Sequence, residues 1–569
     1  MNRRSTSLLL LILTLALATQ AFANAKITIY NADQGTGKGF DDPTPVAPIA
    51  GNTGTTVGQQ RLNVFNYVAN IWGQSLDSAS EIKVYASFAP LSCTATSGTL
   101  GGTSVSWWLA NFPGADFANT WYHVSLASKL AGGDLEPNAD PLEDSDMIIQ
   151  FNGSLGSTGC LETSHWYYGL DESEAPGDIN LATVTLHEMG HGLGMSSFFT
   201  QSTGALISGI PDIYQRNLLD RSLNQTFDGM TATDRRNSVI DPRNVVWIGS
   251  HVTNAVPNVL QLGTPILKVN APAAIAGFYQ IGGASFGTPV GAPGITGPVV
   301  AALDAADASG PTTLDGCSPL TNAADVAGKI AIVNRGTCGF VVKGKNLQDA
   351  GAIAMIVADN AAGGPPADLG GADPTLTITS VRVTQSDGNL LRAQLGAGLN
   401  VTIGVDPTLR AGADPQGRAL MFTPNPRQAG SSISHWDTIA TPDLLMEPFT
   451  TPNMALRVDE PRDIQLAQMR DIGWYEDRDI DNVADSGDQC LHSDLRKTVI
   501  VGSINTDAPN VLFTTGCTIS DYVKNCSVGS NNQGDTQSCT AHLTQQLLEA
   551  GFLTPPQQGA IRSAVARNK

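Results

Sequence analysis

The sequence predicts an α+β protein that is interrupted by an α/β insert and ends in a small cysteine-containing tail. Three observations predict this: helical periodicity over residues 181–189, a strand–turn–helix–strand pattern over residues 329–358, and a change of composition after Trp474. The 569 residues, of which 41% are hydrophobic, are enough for several domains. A formal charge of −20 disfavours nucleic acids and anionic lipid surfaces as partners.

Residues 1–23 have the pattern of a secretory signal peptide. Arg3 and Arg4 precede an apolar run that extends from Leu8 to Ala18, and residues 21–23 offer an A-x-A cleavage site. An uncleaved membrane anchor is the alternative, but the run is shorter than the ~20 residues that span a bilayer. We therefore expect an exported protein without a membrane span.

Export changes the interpretation of the eight cysteines. An even number in an oxidising compartment predicts disulfides rather than metal thiolates. We expect local pairs: Cys93 with Cys160, Cys317 with Cys338, and Cys490, Cys517, Cys526 and Cys539 paired among themselves.

The first elements after the leader predict an α/β layer. Residues 59–72 carry apolar side chains at helical spacing, and Glu81 to Phe88 alternates as a strand. Asp146 to Phe151 predicts a second strand at an edge of the sheet. This edge either holds an extended substrate or is an ordinary edge.

Residues 178–194 predict a helix that carries an H-E-x-x-H motif. The helix is expected to begin at Asp178 or Asn180 and to end at the glycines that follow. His187 and His191 are four residues apart, so both can reach one metal ion from one helix face. Glu188 points elsewhere, toward a water that needs a general base. The alternative is a helix whose histidines only satisfy hydrogen bonds.

A catalytic zinc site usually has a third protein ligand. In the metzincin pattern H-E-x-x-H-x-x-G-x-x-H, Gly194 stands at the turn, but Ser197 replaces the last His. Residues 431–448 (SSISHWDTIATPDLLMEP) resemble the segment of leishmanolysin-like metzincins that carries a distant third His and the Met-turn. The resemblance implies that His435 is the third zinc ligand and that Met446 lies beneath the metal.

Other interpretations of this segment stay open. His435 would otherwise be a surface histidine beside Trp436, and Asp437 and then His251 are the next candidate ligands. A tight turn at Met446 is expected independently of the resemblance, because Pro448 disfavours helical geometry in the residue before it.

An inserted domain is required between His191 and His435, because 243 residues separate them. Residues 329–334 and 353–358 predict strands around a helix over 340–350. The segments GKIAIVNRGTCGF and GAIAMIVADN resemble the protease-associated (PA) domain, which implies a lid or recognition surface beside a peptidase site. The alternative is an α/β module of unrelated role.

The segment after Trp474 has carboxylates at spacings that suit calcium. It resembles a thrombospondin type 3 repeat, and a solvated acidic linker is the alternative. The candidate calcium ligands are Asp477, Asp479, Asp481, Asp485 and Asp488.

The sequence therefore predicts a secreted zinc metallopeptidase of metzincin type, with zinc and, in the tail, calcium as its metals. Its substrate would be a protein or peptide, and an endopeptidase is favoured although PA domains also occur beside exopeptidases. The alternatives are a non-catalytic adhesion or binding protein on the same scaffold, and a hydrolase of non-peptide amides or esters. The predicted boundaries are 1–23 (signal peptide), 24–254 (catalytic, first part), about 255–410 (insert), 411–475 (catalytic, second part) and 476–569 (tail).

Overall fold

A computed structural model describes residues 24–475, 488–490, 493–502, 504–528 and 532–568. The predicted signal peptide and the candidate calcium ligands Asp477, Asp479, Asp481 and Asp485 lie outside the described residues. Two compact units divide the chain: the larger contains residues 27–72 and 82–468, and the smaller contains residues 73–81 and 469–568 together with the described residues before 27.

The described residues form helices and strands in alternation. The helices are α1 (Val57–Ser75), α2 (Val124–Ala131), α3 (Leu181–Leu193), α4 (Ala232–Ser238), α5 (Ser250–Val259), α6 (Ala323–Val326), α7 (Phe340–Asp349), α8 (Gln385–Ala393), α9 (Gln465–Asp471), α10 (Ile519–Val528), α11 (Gln533–Glu549) and α12 (Pro555–Arg567). The strands are β1 (Ile27–Asn31), β2 (Ile82–Ala89), β3 (Gly101–Val105), β4 (Trp108–Leu109), β5 (Tyr122–His123), β6 (Met147–Asn152), β7 (Trp166–Tyr167), β8 (Ile179–Asn180), β9 (Leu218–Asp220), β10 (Gln225–Thr226), β11 (Val245–Trp247), β12 (Leu262–Ala271), β13 (Gly277–Tyr279), β14 (Ile295–Ala301), β15 (Ile330–Asn334), β16 (Ala354–Ala358), β17 (Thr379–Val383), β18 (Asn400–Arg410), β19 (Thr498–Val501) and β20 (Ile504–Pro509).

A four-stranded sheet with the order β1-β2-β6-β3 supports the first half of the larger unit. β1, β2 and β6 are parallel, and β3 is antiparallel to β6. The prediction that residues 146–151 form an edge strand is wrong, because β6 pairs on both sides and β3 forms the edge. Side-chain alternation reports which faces of a strand are buried and carries no information on its edges.

Helix α1 confirms the amphipathic helix predicted over residues 59–72. Its Phe65 packs against Phe88 of β2 and Phe151 of β6 at ring-centroid distances of 6.4 and 5.1 Å. The indole of Trp72 donates a hydrogen bond to the carbonyl of Leu186 (3.1 Å). These contacts fix α3 to the helix and sheet that precede it.

A seven-stranded sheet with the order β13-β12-β18-β14-β15-β16-β17 lies between the two histidine-bearing segments of the chain. β15, α7 and β16 confirm the strand–helix–strand pattern of the sequence. Strands β14 to β17 are parallel, and apolar clusters cover both faces of the sheet. Leu262 at the start of β12 pairs with Arg410 at the end of β18, so the chain enters and leaves this sheet at neighbouring positions.

The smaller unit contains the β19–β20 hairpin and helices α10 to α12 around an apolar core that includes Leu543 and Leu547. The predicted disulfides Cys93–Cys160 and Cys317–Cys338 are confirmed, and the four remaining cysteines pair as predicted among themselves, as Cys490–Cys517 and Cys526–Cys539. Within the described parts of the chain, no helix combines the length and apolar character needed to cross a membrane.

Candidate metal centre and active site

Helix α3 presents the H-E-x-x-H motif as the sequence predicted. The side chain of Asn180 caps its first turn by accepting hydrogen bonds from the amides of Ala182 (3.0 Å) and Thr183 (3.4 Å). Gly194, with φ of 146°, ends it. His187 and His191 therefore occupy successive turns of one helix face.

The structure brings His187, His191 and His435 together as the histidine cluster. The Nε2 atoms of His187 and His191 are 3.1 Å apart, and each lies 3.2 Å from Nε2 of His435. Their ligand atoms form the one group of three or more potential metal-ligating side chains within the described residues. The third histidine, His435, follows the seven-stranded sheet in the sequence, whereas His187 and His191 precede it.

Each Nδ1 of the histidine cluster faces a backbone carbonyl. The partners are Leu445 for His187 (2.7 Å), Met195 for His191 (2.8 Å) and Ser431 for His435 (2.9 Å). A carbonyl can only accept, so Nδ1 donates in all three rings and the lone pair of each neutral ring is on Nε2.

Burial keeps the three rings neutral. It lowers the pKa of His187 to about 4 and that of His191 to about 3, and it lowers the pKa of His435 well below its ordinary value. Three lone pairs then converge on one point, which is unfavourable unless a cation occupies it. Ligands of tetrahedral zinc, about 2.0–2.1 Å from the metal, lie roughly 3.3 Å from one another, so the observed separations fit this ion.

Asp463 is connected to the histidine cluster through Leu445. Its Oδ2 accepts a hydrogen bond from the amide of Leu445 (2.6 Å), and the carbonyl of Leu445 accepts the one from His187. The side chain is buried, and burial raises its pKa to about 7. Leu445 thus links the carboxyl group of Asp463 to the candidate metal ligand His187. Carboxylates in the outer shell of metal sites orient histidine ligands in a similar way.

Glu188 is buried beside the edge strand β3. Thr103 Oγ1 lies 2.9 Å from Glu188 Oε2 and 2.8 Å from the carbonyl oxygen of Glu188, so one hydroxyl proton serves two acceptors. Burial raises the pKa of Glu188 to about 7, and the hydrogen bond from Thr103 opposes that shift. A carboxyl group with such a pKa is suited to accept and release a proton near neutrality.

Met446 lies directly against the motif helix. It is fully buried, and a Cβ atom added to Gly190 would lie 2.8 Å from its Sδ. The amide of Glu447 donates to the carbonyl of Leu444, which confirms the turn expected at Met446. Glycine between the two motif histidines therefore makes room for this methionine.

The other candidate ligands have different partners. Asp437 is fully buried and pairs with Arg243 at 3.3 Å, so the structure assigns it to an ion pair and not to the histidine cluster. Ser197, at the usual place of the third His, donates to Asp212 (2.7 Å). His251 lies on α5, outside the group of converging ligand atoms.

Of the candidate calcium ligands, Asp488 alone lies within the described residues. Its Oδ1 accepts a hydrogen bond from the amide of Cys490 (2.6 Å). A calcium site in this segment remains a prediction.

Sequence reasoning missed Thr103 and Asp463. Thr103 precedes Glu188 by 85 residues, and Asp463 follows the Met446 turn by 17 residues in a segment without a motif. Thr103 acts through its hydrogen bonds to Glu188, and Asp463 through its hydrogen bond to Leu445, and only the fold brings these parts of the chain together. A helical or strand period therefore offered no signal for either.

Comparison with known proteins identifies one part of the chain. Residues 295–391 match the PA domain, which confirms the presence of the domain predicted there, whereas its limits at about 255 and 410 stay a prediction. The protein named "Probable lipoprotein aminopeptidase LpqL" of Mycobacterium tuberculosis is 40% identical over 113 residues, which are 20% of this chain and 21% of that protein. ER degradation-enhancing alpha-mannosidase-like protein 3 of Homo sapiens is 54% identical over 46 residues, 8% of this chain and 5% of that protein.

These matches cover a small share of this chain and of each relative. The chain spans about a fifth of the length of LpqL, and the two relatives carry names of different activities. A solved zinc aminopeptidase from Bacillus subtilis aligns with 27% of this chain and 36% of its own at 21% identity, with a TM-score of 0.19. A TM-score this low does not establish a shared fold.

Proposed function

We propose that this protein is a secreted zinc-dependent peptidase of the leishmanolysin-like metzincin type. The observation that carries the proposal is the convergence of three Nε2 lone pairs within 3.2 Å, next to a buried carboxyl group that is not part of the cluster. Met446 beneath α3 adds support for the metzincin type. A purely adhesive role leaves the pairing of Glu188 with Thr103 unexplained.

His187, His191 and His435 would hold zinc. When bound, zinc would polarise the scissile carbonyl and lower the pKa of the attacking water. Glu188 would accept a proton from that water through its carboxylate and deliver it to the leaving amine nitrogen. Thr103 would keep the carboxylate in place between these two transfers.

The edge strand β3 offers a place for the substrate. It contacts Glu188 through Thr103, and among the described residues no strand pairs with its other edge. An extended peptide can add there through main-chain hydrogen bonds, which bind a peptide without strong dependence on its sequence. We propose that the scissile bond lies near Thr103.

Glu188→Gln tests this function. The amide keeps an acceptor for Thr103 but cannot take a proton, so kcat for peptide cleavage should fall by roughly 10²- to 10⁴-fold while one zinc per chain is retained. His435→Ala should instead weaken zinc binding itself. Zinc content and kcat are measured on the same preparations.

Glu549→Gln is the matched control, because Glu549 is an exposed residue at the end of α11. It should change neither zinc content nor activity. Cleavage by Glu188→Gln at nearly the wild-type rate would contradict the proposed role of Glu188. Full retention of zinc by His435→Ala would contradict the assignment of His435.

A further inference from the structure

Two adjacent tryptophans follow the edge strand β3, and both are exposed. Trp107 is 41% exposed and Trp108 is 38% exposed. Trp107 precedes β4, and its indole donates a hydrogen bond to the carbonyl of Glu143 (3.3 Å), whereas Trp108 is the first residue of β4. Single exposed apolar side chains are ordinary, but two large adjacent ones next to a candidate active site call for a ligand.

Trp108 stacks on Phe198. The two rings stack with centroids 5.4 Å apart and an angle of 26° between their planes. Trp108 also pairs across the β4–β5 ribbon with His123, whose ring lies 4.5 Å from that of Phe198. We call Trp108 and Phe198 the aromatic platform.

The aromatic platform is tied to the candidate metal centre. His123 is fully buried, and its Nε2 lies 2.8 Å from Ser196 Oγ. Ser196 Oγ in turn donates to the carbonyl of His191 (3.2 Å). The platform therefore has a fixed position relative to the histidine cluster on one side and to β3 on the other.

We propose that the aromatic platform is a specificity subsite that binds an aromatic side chain of an extended peptide substrate; this rests on the proposed peptidase function. Stacked rings present a face and an edge that favour a third aromatic ring over an aliphatic group. Trp108 lies five positions after Thr103, which is at most about 17 Å of extended chain, and the chain bends at Ser106. The bound aromatic residue is therefore three to five residues from the scissile bond.

We propose antiparallel pairing of the substrate with β3, which places the bound aromatic residue on one side of the cleavage site. A substrate that pairs antiparallel to β3 runs in the opposite direction, so Trp108 meets residues on the amino-terminal side of the scissile bond. A subsite at that distance requires several residues before the cleaved bond. A subsite at that distance therefore favours cleavage within a peptide over removal of a single amino-terminal residue.

Matched peptides test the subsite. Each peptide has one cleavage site, and Phe or Ala occupies position three, four or five before it. The zinc-loaded wild type should cleave the best Phe peptide with a kcat/KM roughly two- to tenfold higher than that of its Ala partner. The ratio should fall to about one in Trp108→Ala and should be largely kept in Trp108→Phe, which retains a ring.

Phe278→Ala is the control, because Phe278 is 63% exposed and lies on β13 of the seven-stranded sheet. It should keep the wild-type ratio. Equal cleavage of Phe and Ala peptides by the wild type, or an unchanged ratio in Trp108→Ala, would overturn the subsite and leave the peptidase proposal intact. Cleavage of none of the peptides by zinc-loaded protein would overturn the peptidase function and with it the subsite.

Discussion

Asp463 lies two hydrogen bonds away from the candidate zinc ligand His187. If the carboxyl group orients the imidazole through Leu445, its loss should loosen the ligand without removing it. Asp463→Leu is therefore expected to raise the Kd for zinc about 10- to 100-fold, as other outer-shell substitutions do. Asp463→Asn keeps an acceptor for the Leu445 amide and should bind zinc close to the wild-type level. Competition with a chelator of known affinity measures both.

Asp33→Leu is a suitable control for Asp463. Asp33 is also buried, and its Oδ2 accepts hydrogen bonds from the amides of Phe40 and Phe88, outside the histidine cluster. Its substitution should lower stability and leave zinc affinity nearly unchanged. Equal zinc affinity in Asp463→Leu and wild type would show that Leu445 orients His187 unaided.

The sequence predicted the site residues that have motif spacing, but it did not predict the residues whose hydrogen bonds position them. The spacing of His187, Glu188 and His191 predicted their places on one helix. His435 was predicted from a family resemblance, and the fold places it beside the other two histidines. Thr103 and Asp463 were not predictable, because a single threonine or aspartate acquires its role only from the partner that the fold brings to it.

Helix α3 and the turn at Met446 pack at a close approach that glycine allows. A Cβ at Gly190 would lie 2.8 Å from Met446 Sδ, whereas a Cβ at Gly559 of α12 meets no atom within 4 Å. Gly190→Ala should therefore lower the free energy of unfolding by about 1–3 kcal/mol, because the core would be overpacked. Gly559→Ala should raise it by up to about 1 kcal/mol through helix propensity.

Urea unfolding of the zinc-free variants measures both effects. The contrast between the two glycines is the informative quantity, since both changes add the same methyl group to a helix. Stabilisation of both variants to the same degree would mean that Met446 moves aside freely and does not fix the helix.

Among the elements, periodicity predicted α1, α3 and the strands β2 and β6, but not which strand forms the edge of the sheet. Strand pairing is a long-range property, and the residues of β3 (Gly101–Val105) include two glycines and no strong alternation. The strand that contacts Glu188 through Thr103 was therefore not predicted from the sequence.

The segment that forms the seven-stranded sheet interrupts the proposed catalytic part, and the residues at its two ends lie next to each other. The amide of Ala411 donates to the carbonyl of Gln261 (2.9 Å), and the histidine cluster lies entirely outside residues 262–410. Inserted domains whose ends are close together can be removed without breaking the host fold. Replacement of residues 262–410 by two glycines should leave a folded protein that binds one zinc, with a Kd within about tenfold of wild type.

Circular dichroism and zinc content after dialysis check this prediction. The excision also removes the paired hydrogen bonds between Gly364 of the insert and Asn425 of the host, so a modest loss of stability is expected. An excised protein that does not fold, or that folds without binding zinc, would contradict a self-contained catalytic part. The sequence predicted the insertion from the spacing of the histidines and could not show that its ends touch.

In the proposed site, one zinc ion joins two histidines of α3 to a third histidine that follows the insert in the sequence. Diffraction from crystals of the zinc-loaded protein, recorded on both sides of the zinc absorption edge, would locate the ion and identify the residues that bind it. We expect one anomalous peak about 2.0–2.1 Å from Nε2 of His187, His191 and His435. A peak bound by the first two rings, with His435 several ångströms away, would contradict it.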